Sequence, residues 1–131
     1  MAELFTLPLS IAPADIDELG HVNNAIYLRW AQEIAIAHWR SRATDEMIAS
    51  LIWVVTRHEI DYRAQLQLGD RIEARTWVAE APRGPFWLRY IEIGKPDEKP
   101  AASIVSTWCL LEAATRRVKR VPPEIVARFA G

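Results

Sequence analysis

The chain has 131 residues, of which 50% are hydrophobic and 25% charged, with 16 Lys and Arg against 17 Asp and Glu. That composition describes one globular domain spanning residues 1–131 with a single core, and it leaves no room for a second. A formal net charge of −1 carries no polyanion signature, and no segment approaches the run of roughly 18 apolar residues that a membrane span needs, so neither nucleic acid nor membrane is expected as a partner.

The opening stretch, MAELFTLPLSIA, lacks the basic start and long apolar run of an export signal, and a cytoplasmic location is the expectation. Residues 3–12 alternate as a short strand, which Pro8 demotes towards a sheet edge and Pro13 stops. Then comes DIDELGHVNNAIY, Asp15 to Tyr27, the densest concentration of chemistry in the chain. It runs directly into AIYLRWAQEIAIAHWR, residues 25–40, which has no Gly or Pro and places Ile26, Trp30, Ile34 and Ala37 at helical spacing. Asn23 or Asn24 is the expected N-cap, at the end where the helix dipole leaves partial positive charge. Read as residue types alone, Asp15, Asp17 and the asparagines serve equally well as turn and cap formers. The helix has a polar strip of only Arg29, Gln32, Glu33 and Arg40, so burial on most sides is expected, with strands doing the covering.

Leu51 to Tyr62 is rich in β-branched and aromatic residues and is expected as a strand with Ile52, Val54, Thr56, His58, Ile60 and Tyr62 on one face. Gly69-Asp70 marks a turn, after which Ile72, Ala74, Thr76 and Val78 alternate with charged neighbours as a half-buried strand. Pro82, Gly84 and Pro85 break the pattern ahead of a strand from Phe86 to Ile93, and GKPDEKP makes a polar hairpin connection. The last strand, Ala102 to Glu112, is apolar on both sides, and both faces are expected to be covered. It contains Cys109, the sole cysteine, which excludes an internal disulfide and suits a reducing compartment. Between Trp108 and Leu110 its thiol reads as buried and unreactive. In the tail, the bases Arg116, Arg117, Lys119 and Arg120 precede Pro122 and Pro123, which open a short terminal helix. His21, His38 and His58 are widely separated, and no metal or cofactor is expected. The order gives an α+β domain with one antiparallel sheet curled around one long helix.

With the Asp-x-Asp-x-x-Gly-His-Val-Asn-Asn run (Asp15, Asp17, Gly20, His21, Val22, Asn23, Asn24) followed by Tyr27, the chain resembles the hotdog-fold acyl-CoA thioesterases of the 4-hydroxybenzoyl-CoA thioesterase-like group. IDYRAQLQLGDRI and TRRVKRVP add weaker support. The resemblance implies a five-stranded antiparallel sheet around a central helix and hydrolysis of an acyl-CoA thioester to free acid and CoA. It makes Asp17 the catalytic carboxylate, as nucleophile or general base, and gives the backbone amide of Asn24 the thioester oxygen, with His21 beside them. Gly20, Asn23 and Tyr27 would frame the substrate. Arg117 and Arg120, like Arg57, Arg83 and Arg89, are candidates for the CoA phosphates. The family's clefts lie between subunits, so a homodimer or homotetramer is implied, and the edge left open by Leu51–Tyr62 is the candidate seam. Trp30, Trp53, Trp77, Trp87 and Trp108 belong to the core or narrow the acyl pocket.

Plant acyl-carrier-protein thioesterases carry an Asn two residues beyond the Asp, where this chain has Leu19. That weakens an acyl-carrier-protein substrate as the alternative. Hotdog hydratases carry Asp-x-Asn-Pro-x-His, which Asp17 to His21 does not match. A binding module without catalysis is the other alternative.

Overall fold

The computed structural model describes residues 3–130. Strands β1 (Phe5–Leu9), β2 (Leu51–Tyr62), β3 (Ile72–Val78), β4 (Phe86–Gly94) and β5 (Ala102–Glu112) form one antiparallel sheet in the order β1-β3-β4-β5-β2. Helix α1 (Asn24–Arg42) packs on its inner face, and the shorter α2 (Asp45–Ser50) and α3 (Pro123–Phe129) close one end. Both edge strands agree with the sequence: β1 carries Pro8 at an edge, and β2 leaves one side unpaired.

Helix α1 begins where the Asn23 side chain accepts from the Ala25 N–H at 3.0 Å, which settles the cap on Asn23 and makes Asn24 the first helical residue. It buries Tyr27, Trp30, Ala31, Ile34, Ala35 and His38, a stripe at the three- and four-residue spacing of one helix face. Arg29, Gln32, Glu33, Ile36 and Arg40 are exposed, so in the single chain the helix is open along one side and not covered on most sides. Helix α2 was not anticipated; Thr44 caps it, its hydroxyl accepting from Met47 N–H at 3.1 Å.

Strand β2 departs from the single face expected of it. Val55 pairs with Trp108 and Arg57 with Thr107, which leaves Thr56 as an extra residue and shifts the phase. Leu51 and Trp53 therefore pack inward before the bulge, and Ile60 after it. Strand β5 buries Ala102, Ile104, Ser106 and Leu110 on the inner side, while Val105, Thr107 and Leu111 on the outer side are half-buried. Cys109 is free and buried, as its neighbours suggested.

The interior divides into two apolar clusters. One centres on Trp30, Ile34, Ile91, Ile93 and Ile104, the other on Trp87, Leu110, Ile125 and Phe129. Each fully buried aliphatic side chain contributes about 1.5–3 kcal/mol. At the boundary, α1 and four of the five strands place a polar residue: His38 on α1, Thr76 on β3, Arg89 on β4, Ser106 on β5 and His58 on β2. Register sets Arg89 opposite Ser106 and Ser106 opposite His58. A polar row thus crosses the core at the level where the Thr56 bulge changes the phase of β2.

Candidate active site

The loop from Ile16 to Val22 is a small closed turn, pinned by a bridge between those two residues. Gly20 takes φ +84, the left-handed region that favours glycine, and its N–H donates to the Asp17 carbonyl at 3.0 Å. Asp17 organises the rest. Its Oδ1 accepts from Leu19 N–H at 2.9 Å and from His21 N–H at 3.3 Å, and its own N–H donates to the His21 carbonyl at 2.8 Å. Among the described residues nothing donates to Oδ2, so a carboxylate held by one oxygen presents the other. The half-buried His21 ring likewise has no protein hydrogen bond among them.

Asp15 does a different job from Asp17. It is 3% exposed, accepts Ala12 N–H at 2.9 Å and meets the Arg29 guanidinium with both oxygens at 3.2 Å. Its carbonyl accepts Asn23 N–H at 2.8 Å, while Val22 N–H donates to Leu66. The loop is thereby anchored to the helix it feeds.

At the start of α1 the Asn23 side chain has used Ala25 N–H, and the Asn24 N–H has no partner among the described residues. That amide and the positive end of the helix dipole follow Asp17 by seven residues, at the far end of the same closed loop. Tyr62, at the end of β2, donates its hydroxyl to the Asn24 carbonyl at 3.1 Å and packs edge-on against Tyr27. Tyr27 is 2% exposed, and burial, reinforced by Tyr62, pushes its hydroxyl up to about 12. Its ring supports the helix start from beneath.

A cavity of about 520 Å³ lies elsewhere, between the C-terminal half of α1 and the first half of β2. Gln32, Ile36, Trp39, Trp53, Trp87 and Trp108 are on its wall. From Asn24 to Gln32 along the helix is about 12 Å, and to Arg40 about 24 Å. The loop and the cavity of one chain share no wall.

A family model described as the thioesterase-like superfamily matches residues 11–129. The chain belongs to that superfamily. Among curated proteins, it is similar to an acyl-[acyl-carrier-protein] hydrolase of Cuphea viscosissima, 26% identical over 86% of this chain and 27% of that protein. It is also similar to a palmitoyl-acyl carrier protein thioesterase of Gossypium hirsutum, 29% identical over 72% of this chain and 25% of that one. The chain spans about a quarter of the length of these relatives. Among solved structures, a thioesterase of Thermus thermophilus complexed with coenzyme A and Zn superimposes with a TM-score of 0.82 at 23% identity, covering 95% of this chain and 90% of that one. A 1,4-dihydroxy-2-naphthoyl-CoA thioesterase of Synechocystis gives 0.81 at 17% identity, over 97% and 96%. These likenesses establish the hotdog fold for this superfamily member.

The structure therefore brings together Asp17, Gly20, His21, Asn23 and Asn24, with Tyr27 below them. It does not bring Arg117 and Arg120 to the loop of the same chain. Both are exposed in the turn after β5, where Glu112 pairs with Leu51, while the loop lies by Tyr62 at the other end of β2. Twelve residues of strand separate those ends, roughly 40 Å. Arg57 and Arg83 are exposed, but Arg89 is 7% exposed on the inner sheet face and is no surface contact for a phosphate. Of the tryptophans, Trp30 is core and Trp77 stacks on Tyr90, whereas Trp53, Trp87 and Trp108 line the cavity.

Sequence reasoning missed the polar row. His38 is fully buried, its Nδ1 accepting from Arg89 at 2.9 Å and its Nε2 facing Glu3 at 3.3 Å. An arginine has only donors, so His38 Nδ1 is unprotonated and the proton sits on Nε2. Burial first, then the Arg89 charge, pull this imidazole down to about 4. The signal was present in parity: Arg89 shares its face with Trp87, Ile91 and Ile93, and His38 lies seven and four residues beyond Ala31 and Ile34.

Proposed function

We propose that this superfamily member hydrolyses acyl-CoA thioesters, with Asp17 as the reacting carboxylate and the Asn24 N–H as the oxyanion donor. The observation that carries the reading is the Asp17 geometry: Oδ1 is committed to Leu19 and His21, while among the described residues nothing donates to Oδ2 and nothing accepts from the Asn24 N–H at the end of the same loop. Positioned donors of this kind favour the charge that develops on a thioester oxygen. His21 and Asn23 border the same space, and Gly20 gives the loop its turn. Two routes use Oδ2. As general base it takes a proton from water while the hydroxide attacks the thioester carbon, and the departing CoA thiolate recovers that proton. As nucleophile it forms a mixed anhydride and releases CoA, and water then cleaves the anhydride. Single turnover in ¹⁸O-water separates them, because cleavage of the anhydride at the Asp17 carbonyl places label in Asp17.

The same proposal includes a homodimer formed edge to edge through β2. A two-fold axis runs paired identical strands antiparallel, so the Leu51 end of one β2 meets the Tyr62 end of the other. The cavity of one copy then adjoins the Asp17 loop of its partner, and the tail bases Arg117 and Arg120 come near the partner's cleft. An acyl group in the cavity with its thioester at the partner's helix start uses both features. A cytoplasmic location, where CoA esters are made and Cys109 stays reduced, belongs to this reading.

Turnover of a panel of acyl-CoA thioesters by the native chain and by Asp17→Asn tests it. Equal turnover by a folded Asp17→Asn protein would sink the assignment. The curated relatives favour a second reading, an acyl-carrier-protein thioester as substrate. Higher kcat/KM for the carrier-bound acyl group than for the same acyl-CoA would select it.

A further inference from the structure

The cavity wall is apolar apart from Gln32, Arg40 and Arg89, and no acid lies on it. Gln32 and Arg40 are exposed at its mouth, whereas Arg89 is buried. Arg89 donates through one guanidinium nitrogen to His38 and to Thr76, at 2.9 and 3.0 Å. Neither partner is charged. His38 is neutral, and Glu3, the nearest acid in this network, is bound by Arg42 through Nε at 2.7 Å. Among the described residues no carboxylate comes within ion-pair distance of Arg89. Burial lowers the guanidinium to about 10, which still leaves it charged at neutral pH. A buried charge ordinarily has a counter-ion.

A second observation lies on the same wall. The Trp108 indole N–H is buried and has no hydrogen-bond partner among the described residues. Buried polar groups are nearly always satisfied, and an indole N–H can only donate. Trp108 is two residues along β5 from Ser106, which stands opposite Arg89. An unneutralised cation and an orphan donor therefore share one face of neighbouring strands, around one space, and both ask for the same thing.

We infer that the cavity binds an acyl group bearing an anionic oxygen at its far end, a carboxylate above all, received by the Arg89 guanidinium and the Trp108 N–H. Trp53 and Trp87 hold the connecting hydrocarbon or ring. This rests on the thioesterase reading for the word acyl, and on the cavity alone for the carboxylate. The substrate class is that of CoA half-esters of dicarboxylic acids, aliphatic or aromatic. A plain alkanoyl chain of equal length leaves the Arg89 charge without a counter-ion and the Trp108 N–H without an acceptor, and sites built to meet a polar group discriminate strongly against an analogue that lacks it.

The test pairs substrates of equal length: adipoyl-CoA with hexanoyl-CoA, and terephthaloyl-CoA with 4-methylbenzoyl-CoA. We expect kcat/KM to favour the carboxylated member by at least about tenfold, and Arg89→Met to abolish that preference. Lys99→Met, in the exposed connection between β4 and β5, leaves the preference where it was. Trp108→Phe removes only the orphan donor and a ring; it lowers the preference several-fold while the protein stays folded, and it decides the matter if Arg89→Met does not fold. Binding is read separately, by quenching of tryptophan fluorescence with free adipate against hexanoate. If no thioester turns over but adipate binds and Arg89→Met or Trp108→Phe weakens it, the thioesterase reading fails and the pocket stands. If thioesters turn over with no preference within either pair, or if Trp108→Phe leaves the preference intact, the carboxylate site is overturned and the thioesterase reading survives.

Discussion

At one end of the interior, Val22, Tyr27, Trp30 and Ile34 pack to almost no exposure beneath the loop that holds Asp17; at the other, Trp39, Trp53 and Trp87 border a space of about 520 Å³ with no carboxylate on its wall. The Asp17 loop does not line that space, and among the described residues the space has no carboxylate on its wall. The polar row from Thr76 through Arg89 and Ser106 to His58 separates the two ends. The difference teaches that the Asp17 loop and the cavity lie towards opposite ends of an open edge strand, which is why the proposed site draws on two copies. In the proposed dimer, antiparallel pairing of β2 would join one copy's loop to the other's cavity.

The sharpest attack on that comparison combines two inactive proteins. Asp17→Asn keeps the shape of the loop, since an amide oxygen still accepts from Leu19 and His21, and it should cost about 10²-fold or more in turnover. Ile36→Trp fills the cavity from an exposed position and should be nearly as damaging. If the site is shared, a mixed dimer of the two has one site with both an intact loop and an intact cavity, and co-purified heterodimers should recover about half of native activity. A site contained within one chain gives no recovery, and a native protein that sediments as a monomer at micromolar concentration removes the shared cleft altogether.

The boundary between the two ends should fail in acid. His38 is held down to about 4 in the folded chain, against 6.5 for a free imidazole. Between those values the unfolded chain binds a proton that the folded chain refuses, so stability is complete above pH 6.5 and falls as pH drops towards 4. The whole span is worth about 3 kcal/mol at most. Glu3, Arg42 and Arg89 face this ring. Burial works against a charged Glu3, but its bonds to Arg42 and His38 prevail and hold it low, so its own contribution is lost only further into acid. Urea midpoints measured across this range should shift for the native chain and shift less for His38→Gln, whose remaining slope comes from His58, also lowered by burial. Equal slopes would mean that the Arg89–His38 contact does not persist in solution.

Asp15→Asn separates anchoring from chemistry. The buried carboxylate loses its charge towards Arg29, which should lower stability by about 1.5–3 kcal/mol, with a far smaller effect on turnover than Asp17→Asn. If Asp15→Asn abolishes turnover in a folded protein, the division of labour between the two acids is wrong.

How much of this was legible in the sequence follows from which physical signals a chain writes locally. The 25–40 helix showed itself by the absence of Gly and Pro, and the Asp15–Asn24 loop by its crowding of turn and cap residues. The choice between Asn23 and Asn24 needed the backbone, because either can cap. Helix α2 is too short for periodicity to register, although Thr44-Asp45-Glu46 is an N-terminal signature. The phase change in β2 was hidden because Thr56 suits either face of a strand. In FWLRYIEIG one parity is Trp87, Arg89, Ile91 and Ile93 and the other opens on Phe86, Leu88 and Tyr90, so both begin apolar, and the fold buries Trp87 and Arg89 while leaving Phe86 and Leu88 44% and 38% exposed. Inwardness on that strand is decided by α1, far away in sequence. The cavity could not be read at all, since it is the space between elements.

The smallest effect concerns the CoA end of the substrate, and it asks whether the tail belongs to the partner's cleft. Arg117 and Arg120 are exposed and lie by the Leu51 end of β2, so in the proposed dimer it is the partner's loop that would bring a thioester near them. Charge at an exposed rim is screened over about 8 Å at physiological ionic strength, so removing one base should change little. Reversing both, Arg117→Glu with Arg120→Glu, places two acids where phosphates approach. KM for acyl-CoA should then rise a few-fold, an effect that salt diminishes, while a pantetheine thioester lacking the nucleotide responds much less. An equal response of the two substrates returns these bases to the solvated surface. It would also remove one reason for pairing the chains through β2, leaving the heterodimer experiment to carry that question alone.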